Sequence, residues 1–310
     1  MIRRVVAVGA VLALAAVLAS STDSARSGLA RSGMDATASK AASPVAAQRR
    51  TTADVAALRR VPAFTHVVVV VLENHGYRQL VGSSNAPYLN AVIRGGALFT
   101  RSFALRHPSQ PNYIALFSGS THGLTSDACP QRYRGPNLYT ALRAAHRSFA
   151  GYSQTLPAQG SFVCFSGAYA RKHVPWTNFP NVPGRVHKTF AQFPKDYRRL
   201  PSLSFVIPDL RHDMHDGTVK QGDTWVRRHL GRYLTWARRH NSLLIVTFDE
   251  DERSENNRIP TIFAGAHVRP GSTSARRIDH YTVLRTIEAF YGLSRLGASA
   301  RRGPITGVWH

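Results

Sequence analysis

Residues 66–76 read His66-Val-Val-Val-Val-Val-Leu72-Glu73-Asn74-His75-Gly76. The valines are β-branched and stiff at χ1, which suits an extended chain, and no polar residue interrupts 67–72. A strand that is apolar on both faces must be covered on both, as in a parallel sheet flanked by helices. The run stops on Glu73-Asn74, so an acid and an amide emerge where the strand leaves the sheet. In open α/β sheets, ligands sit beyond the carboxyl ends of the strands.

The pattern recurs further along the chain. Leu203–Ile207 and Ser242–Phe248 read as buried strands, 259–265 as a fourth, and 96–103 and 148–152 as shorter ones. Helical spacing appears at Pro87–Arg94, closed by Gly95-Gly96, and at 138–145 and 281–291. A longer helix over 223–239 has Asp223 as its cap. A helix beginning over 112–117 accommodates Pro111 in its first turn. Strand–helix alternation with apolar strands predicts an α/β fold, a mostly parallel central sheet sandwiched by helices. Residues 120–200, rich in Pro, Gly and aromatics, read as an elaboration around the site.

Composition sets the class. The chain has 310 residues, 43% hydrophobic and 18% charged, which excludes a disordered, collagen-like or disulfide-dense protein. Lys and Arg total 40 against 17 acids, a formal charge of +23, and lysine occurs only at 40, 172, 188, 195 and 220. Such an excess attracts polyanions non-specifically. It reads here as an arginine-rich solvated surface with no specific nucleic-acid partner. Five of the 17 acids fall within 249–255; of these, Asp251, Glu252 and Glu255 read as a solvated loop.

Arg3 and Arg4 precede an uncharged run over 5–18, followed by Ala19, Ser20 and Ser21. This pattern predicts a signal peptide over 1–21, with a retained N-terminal anchor as the alternative. The run is short for a spanning helix, so no stable membrane anchor is expected. An Ala/Ser/Arg-rich disordered linker over 22–62 and a catalytic domain over 63–310 complete the organisation. Cys129 and Cys164 are expected to pair in the oxidising compartment that export implies. Closing that loop of roughly 35 residues would stabilise the fold by about 4 kcal/mol.

Two buried strands end in acid-containing pairs, Glu73-Asn74 and Asp249-Glu250. Hard oxygen donors converging from two strand ends suit a divalent cation. In Arg106-His-Pro-Ser109-Gln-Pro111-Asn112-Tyr113, the helix start places Ser109 among free N–H groups that favour an anion. A serine there can attack phosphorus once its pKa is lowered, which a metal ion does directly. Histidines number 14. His173, and His212 and His215 after the strand ending at Ile207, lie in loops suited to phosphate donors or a leaving-group acid.

Glu73-Asn74-His75, His107-Pro-Ser109-x-Pro-Asn112-Tyr, Asp213-Met-His215-Asp216, Thr247-Phe-Asp249-Glu250 and His280-Tyr-x-x-Leu-Arg-Thr-Ile-Glu288 occur in this order. Together they resemble the secreted phosphoesterase family of bacterial acid phosphatases and phosphatidylcholine-type phospholipases C, within the alkaline phosphatase superfamily. The resemblance spans roughly 64–310. It implies an alkaline phosphatase-like fold and a metal-dependent phosphoester hydrolase with a phosphoserine intermediate. By position it implies Glu73, Asn74, Ser109, Asp249 and Glu250 as ligands of one divalent metal ion. Ser109 is then also the nucleophile, and His173 and His215 lie at the phosphate. The second acid of the strand-end pair is Glu250 where the family pattern has Asp. The chain is shorter than the phospholipases, which points to the acid phosphatase branch.

The expected activity is that of a secreted acid phosphatase on anionic phosphomonoesters. Phospholipase C or phosphodiesterase activity is the first alternative. A catalytically decayed, basic polyanion-binding protein is the second.

Overall fold

A computed structural model of the chain describes residues 52–310. The expected signal peptide and residues 22–51 of the expected linker lie outside the described residues. Helix α1 (Thr52–Leu58) falls within the span read as linker. In chain order there follow β1 (His66–Leu72), α2 (Tyr77–Leu80), α3 (Pro87–Arg94), β2 (Ala97–Phe99), β3 (Ser102–Phe103), α4 (Ser109–Ser118), α5 (Leu138–Ala144) and β4 (Phe149–Ser153). Next come β5 (Phe165–Ser166), β6 (Tyr169–Ala170), β7 (His187–Thr189), β8 (Leu203–Ile207), α6 (Val219–Ala237) and β9 (Ser242–Phe248). The chain ends with β10 (Thr261–Gly265), β11 (Ser272–Ser274), β12 (Ile278–Asp279) and α7 (His280–Tyr291).

The eight-stranded sheet has the order β11-β2-β10-β9-β1-β8-β4-β7. β1 lies inside it, parallel to β8 and β9. Only β10 runs against its neighbours, β9 and β2. The mostly parallel sheet expected from the apolar strands is therefore present. Alternate residues of β1 point to opposite layers, as strand geometry requires. Val67, Val69 and Val71 pack with α4, α5 and α7, and Val68, Val70 and Leu72 pack with α3 and α6. Five consecutive valines are buried because both layers are helical.

One local reading is corrected. Helix α6 starts four residues before Asp223, capped by Thr218, whose side chain accepts from Gln221 N–H. Asp223 is buried and caps a different helix. Its carboxylate accepts from Tyr88 N–H at 3.1 Å and Leu89 N–H at 2.7 Å, free donors in the first turn of α3. Helix α4 begins at Ser109, so Ser109 stands at the helix start with Pro111 in the first turn as expected, and the helix is buried along its whole length.

Strand β4 shows why Gly151 is glycine. A Cβ there would lie 2.1 Å from the Trp176 ring, so the indole packs directly on the strand backbone. Cys129 and Cys164 form a disulfide, closing a loop that contains α5 and β4. Among the described residues no helix is long and apolar enough to cross a membrane.

Candidate active site at the carboxyl edge of the sheet

Leu72 of β1 and Phe248 of β9 are register partners. The next residues, Glu73 and Asp249, therefore leave the sheet side by side. Their backbones are fixed at once: Asp249 N–H donates to Leu72 O at 3.0 Å, and Glu73 N–H to Asp213 O at 2.8 Å. Asn74 then turns the chain with φ 52°, a left-handed conformation that Asn tolerates. Its N–H donates to Asp249 Oδ1 at 3.1 Å. From the first residue of α7, His280 Nε2 donates to Asp249 O at 2.7 Å.

Helix α4 arrives at these acids by its first turn. Ser109 Oγ donates to Glu73 Oε2 at 3.1 Å and lies 3.3 Å from Glu250 Oε1. Tyr113, one turn further along the same face, donates its hydroxyl to Glu73 Oε1. Asn112 Nδ2 donates to Arg106 O at 2.7 Å and reaches Glu250 Oε2 at 3.5 Å. His107 contacts Glu250 Oε2 at 2.9 Å through Nδ1 and Asp251 Oδ1 at 3.2 Å through Nε2.

A second group closes on Glu73 from the other side. His173 Nδ1 lies 3.1 Å from Asp213 Oδ2 and Nε2 3.2 Å from Glu73 Oε1. The His173 ring stacks on Tyr113 at 5.1 Å. His215 Nε2 is 3.2 Å from Lys172 Nζ, and its Nδ1 is 2.6 Å from Asp216. Lys172 Nζ donates to Asp127 Oδ2 at 2.9 Å, and Asp127 Oδ1 accepts from Gln110 N–H at 2.9 Å. Lys172 is thereby tied to the start of α4. Glu73, His173 and His215 each present a ligand atom within 4.8 Å of the others.

The electrostatics of the protein alone are unfavourable here. Burial, then the charges of Asp249 and Asp213, push Glu73 well above the usual carboxylate range. Burial raises Asp249 to about 7, partly offset by the Asn74 N–H, and burial with the Asp249 charge raises Glu250 to about 8. Burial works to lower Lys172, but the hydrogen bond and charge of Asp127, with Glu73 and Asp249, outweigh it and raise the pKa. Oδ2 of Asp249 is buried without a hydrogen-bond partner. Hard, acidic, mutually repelling oxygens with one unsatisfied acceptor fit a divalent cation.

Glu73, Ser109, Asp249 and Glu250 are thus brought together, with His173 and His215 beside them. Asn74 joins them through its backbone. Glu288 belongs elsewhere: on the third turn of α7, its Oε1 accepts from Leu296 N–H at 2.8 Å and Ser299 Oγ at 2.6 Å. The reading of Asp251, Glu252 and Glu255 as a solvated loop does not hold. Asp251 is buried and accepts from the N–H groups of Arg253, Glu255 and Asn257. Glu252 and Glu255 accept from Gly76 N–H at 2.7 Å and Arg78 N–H at 2.6 Å, which fixes the turn after β1. Sequence reasoning assigned no place to His107, Tyr113 or Lys172. Signals existed for two of them: Tyr113 is four residues after Ser109 on a helix, and Lys172 adjoins His173.

The model of the phosphoesterase family matches residues 83–294. The phosphatidylinositol-3-phosphatase of Mycobacterium tuberculosis is 50% identical over 251 residues, which is 80% of this chain and 84% of the relative. The phosphate-repressible acid phosphatase of Penicillium chrysogenum is 31% identical over 258 residues, which is 76% of this chain and 61% of that relative. Among solved structures, the phosphonate monoester hydrolase from Silicibacter pomeroyi has a TM-score of 0.53 at 11% identity, covering 74% of each chain. A protein of the alkaline phosphatase superfamily from Vibrio parahaemolyticus has a TM-score of 0.51 at 12% identity, covering 77% of this chain and 70% of that one. The two structural likenesses are likenesses of fold.

Proposed function

The chain belongs to the phosphoesterase family and is a phosphoric ester hydrolase; on that premise we propose a metal-dependent phosphomonoesterase that works outside the cytoplasm through a phosphorylated Ser109. One observation carries the reading. The Ser109 hydroxyl, at the first turn of a buried helix, lies within hydrogen-bond reach of both Glu73 and Glu250. The disulfide supports an oxidising compartment.

Glu73, Asp249, Glu250 and Ser109, with Asn74 as a further oxygen donor, would hold one divalent cation. Bound there, the cation would lower the pKa of the serine hydroxyl and draw charge from the phosphoryl oxygens. Ser109 Oγ attacks phosphorus in line with the departing alcohol, and its proton passes to Glu73 Oε2, already its acceptor. The bond from phosphorus to the substrate alcohol breaks as the new one forms, and His215 protonates the leaving oxygen. Lys172, His173 and the N–H groups opening α4 face the equatorial oxygens, which carry the charge. Water then cleaves the phosphoserine, releasing phosphate and restoring Ser109.

The mycobacterial relative is named for a phosphorylated inositol lipid. That name motivates a lipid phosphomonoester as the first physiological substrate class to try. The deciding experiment compares p-nitrophenyl phosphate with bis(p-nitrophenyl) phosphate on wild type and Ser109→Ala. Faster hydrolysis of the monoester, its loss in Ser109→Ala, and acid-stable phosphate on the peptide containing Ser109 are expected. Faster turnover of the diester would favour the phospholipase C alternative, and an active Ser109→Ala variant would sink the phosphoserine mechanism.

A further inference from the structure

Phe162, Val163 and Phe165 are 48%, 43% and 61% exposed, and they are the exposed large apolar side chains among the described residues. The three surround Cys164 within four consecutive residues of a surface loop. Scattered exposed apolar residues are ordinary, but three on one short segment are not. The loop is held in place: Cys164 is bonded to Cys129, and Arg171 Nη1 donates to Phe162 O at 2.7 Å, its guanidinium 5.4 Å from the Phe162 ring. Phe165 opens the β5–β6 hairpin, whose second strand runs directly into residues 171–173, which carry Lys172 and His173. The apolar edge is therefore continuous in the chain with the wall of the site.

Charge decides what covers this edge. Arg132 is exposed close by in sequence to Cys129, and it lines a cleft of about 560 Å³ together with Phe162 and Arg171. Arg211 is exposed beside the hairpin, where Leu210 N–H donates to Ala168 O at 2.9 Å. The chain carries a formal charge of +23, so a second copy would be repelled. Apolar tips with two exposed arginines near them, Arg132 and Arg211, the latter also 3.4 Å from Asp209, suit a negatively charged bilayer surface, where rings enter the headgroup boundary and cations meet anionic lipid.

We propose that Phe162, Val163 and Phe165 seat this edge of the protein in the surface of an anionic lipid membrane and bring headgroup phosphoesters to Ser109. The docking rests on the exposed edge and its charge; only the identity of the headgroup rests on the phosphoesterase reading.

The test uses the full folded chain with vesicles of phosphatidylcholine alone and of phosphatidylcholine mixed with phosphatidylserine. Wild type should float with the mixed vesicles, less so at high salt, and not with the neutral ones. Phe162→Ser with Phe165→Ser should weaken that partition about tenfold for each phenylalanine. Hydrolysis of soluble p-nitrophenyl phosphate should stay within about twofold, showing that the site is intact. As a gain of signal, Phe165→Trp should give emission that shifts to the blue on mixed vesicles. Equal flotation of wild type and the double variant would overturn the proposal, as would absence of wild-type flotation. Concentration-dependent dimers that the double variant abolishes would assign the edge to a second copy instead. An inactive wild type that still floats would remove the enzyme reading and leave the surface standing.

Discussion

Ser109 Oγ donates to Glu73 Oε2 at 3.1 Å, while the other oxygen of that carboxylate takes the hydroxyl of Tyr113. Glu73 is therefore held by two side chains of one helix, and a shift of α4 along its axis would move the proposed nucleophile and its proton acceptor together.

Cation binding should release protons. Asp249 at about 7 and Glu250 at about 8 are protonated in part near neutrality in the protein alone. Ionised oxygens are needed to hold a cation. Apparent affinity should therefore rise with pH between about 6 and about 8, by about tenfold per unit for each proton displaced. Calorimetric cation titrations in buffers of different ionisation enthalpy would show this. Affinity that is flat across the range would mean that these carboxylates do not ligate.

His215 is tested by leaving-group chemistry. His215→Ala should cost an alkyl phosphate about 10²–10⁴-fold in turnover, the range for general acid catalysis. A nitrophenyl ester, whose leaving group needs no proton, should be nearly unaffected. Equal losses on both esters would instead give His215 a role in holding phosphate or the cation, and His173 would become the next candidate for the acid.

Glu288 should make stability fall as pH rises. Burial raises its pKa from 4.5 to about 7 in the folded protein. Above about 4.5 the unfolded chain holds fewer protons than the folded one, so its contribution is whole below that pH and lost as pH rises through about 7. The amount at stake is about 3 kcal/mol. His187, pushed by burial down to about 4, slopes the other way, so the comparison must be with Glu288→Gln. Denaturant melts of both proteins at several pH values should show wild type losing stability relative to the variant from about pH 5 to about pH 7. Parallel curves would refute this.

Gly151→Ala should destabilise without touching the chemistry. A methyl 2.1 Å from the Trp176 ring forces the indole off β4. Overpacking of this kind costs about 1–3 kcal/mol. The midpoint of chemical denaturation should drop while kcat on p-nitrophenyl phosphate holds. An unchanged midpoint would show that the Trp176 pocket relaxes freely.

The legible parts of the fold were those whose pattern is local. β1, β8 and β9 span the stretches that read as buried strands, in which apolar residues dominate and only His66, Ser204, Ser242 and Thr247 are polar, because both their faces are buried. The edge strands β7 and β11 are three residues each and polar, with no pattern to read. β10 runs antiparallel to β9 and β2, and nothing in the apolar pattern of its own residues distinguishes that direction from the parallel one. Asp223 had the signature of a helix cap, and only the packing of α3 against α6 reveals which helix it caps. In the site, residues at strand ends and at a helix start could be named from sequence, since those places follow from element boundaries. Tyr113 shares α4 with Ser109, so helical spacing carried a signal for it, whereas His107 and Lys172 meet acids of separate segments, Glu250 and Asp127, which no local pattern announces.

The disulfide acquires a further meaning from where its two ends lie. Cys129 is two residues from Asp127, which holds both Lys172 and the start of α4. Cys164 stands between Val163 and Phe165 at the apolar edge. A reducing compartment would therefore loosen the charge anchor and the lipid-facing edge in one step while leaving the central sheet in place.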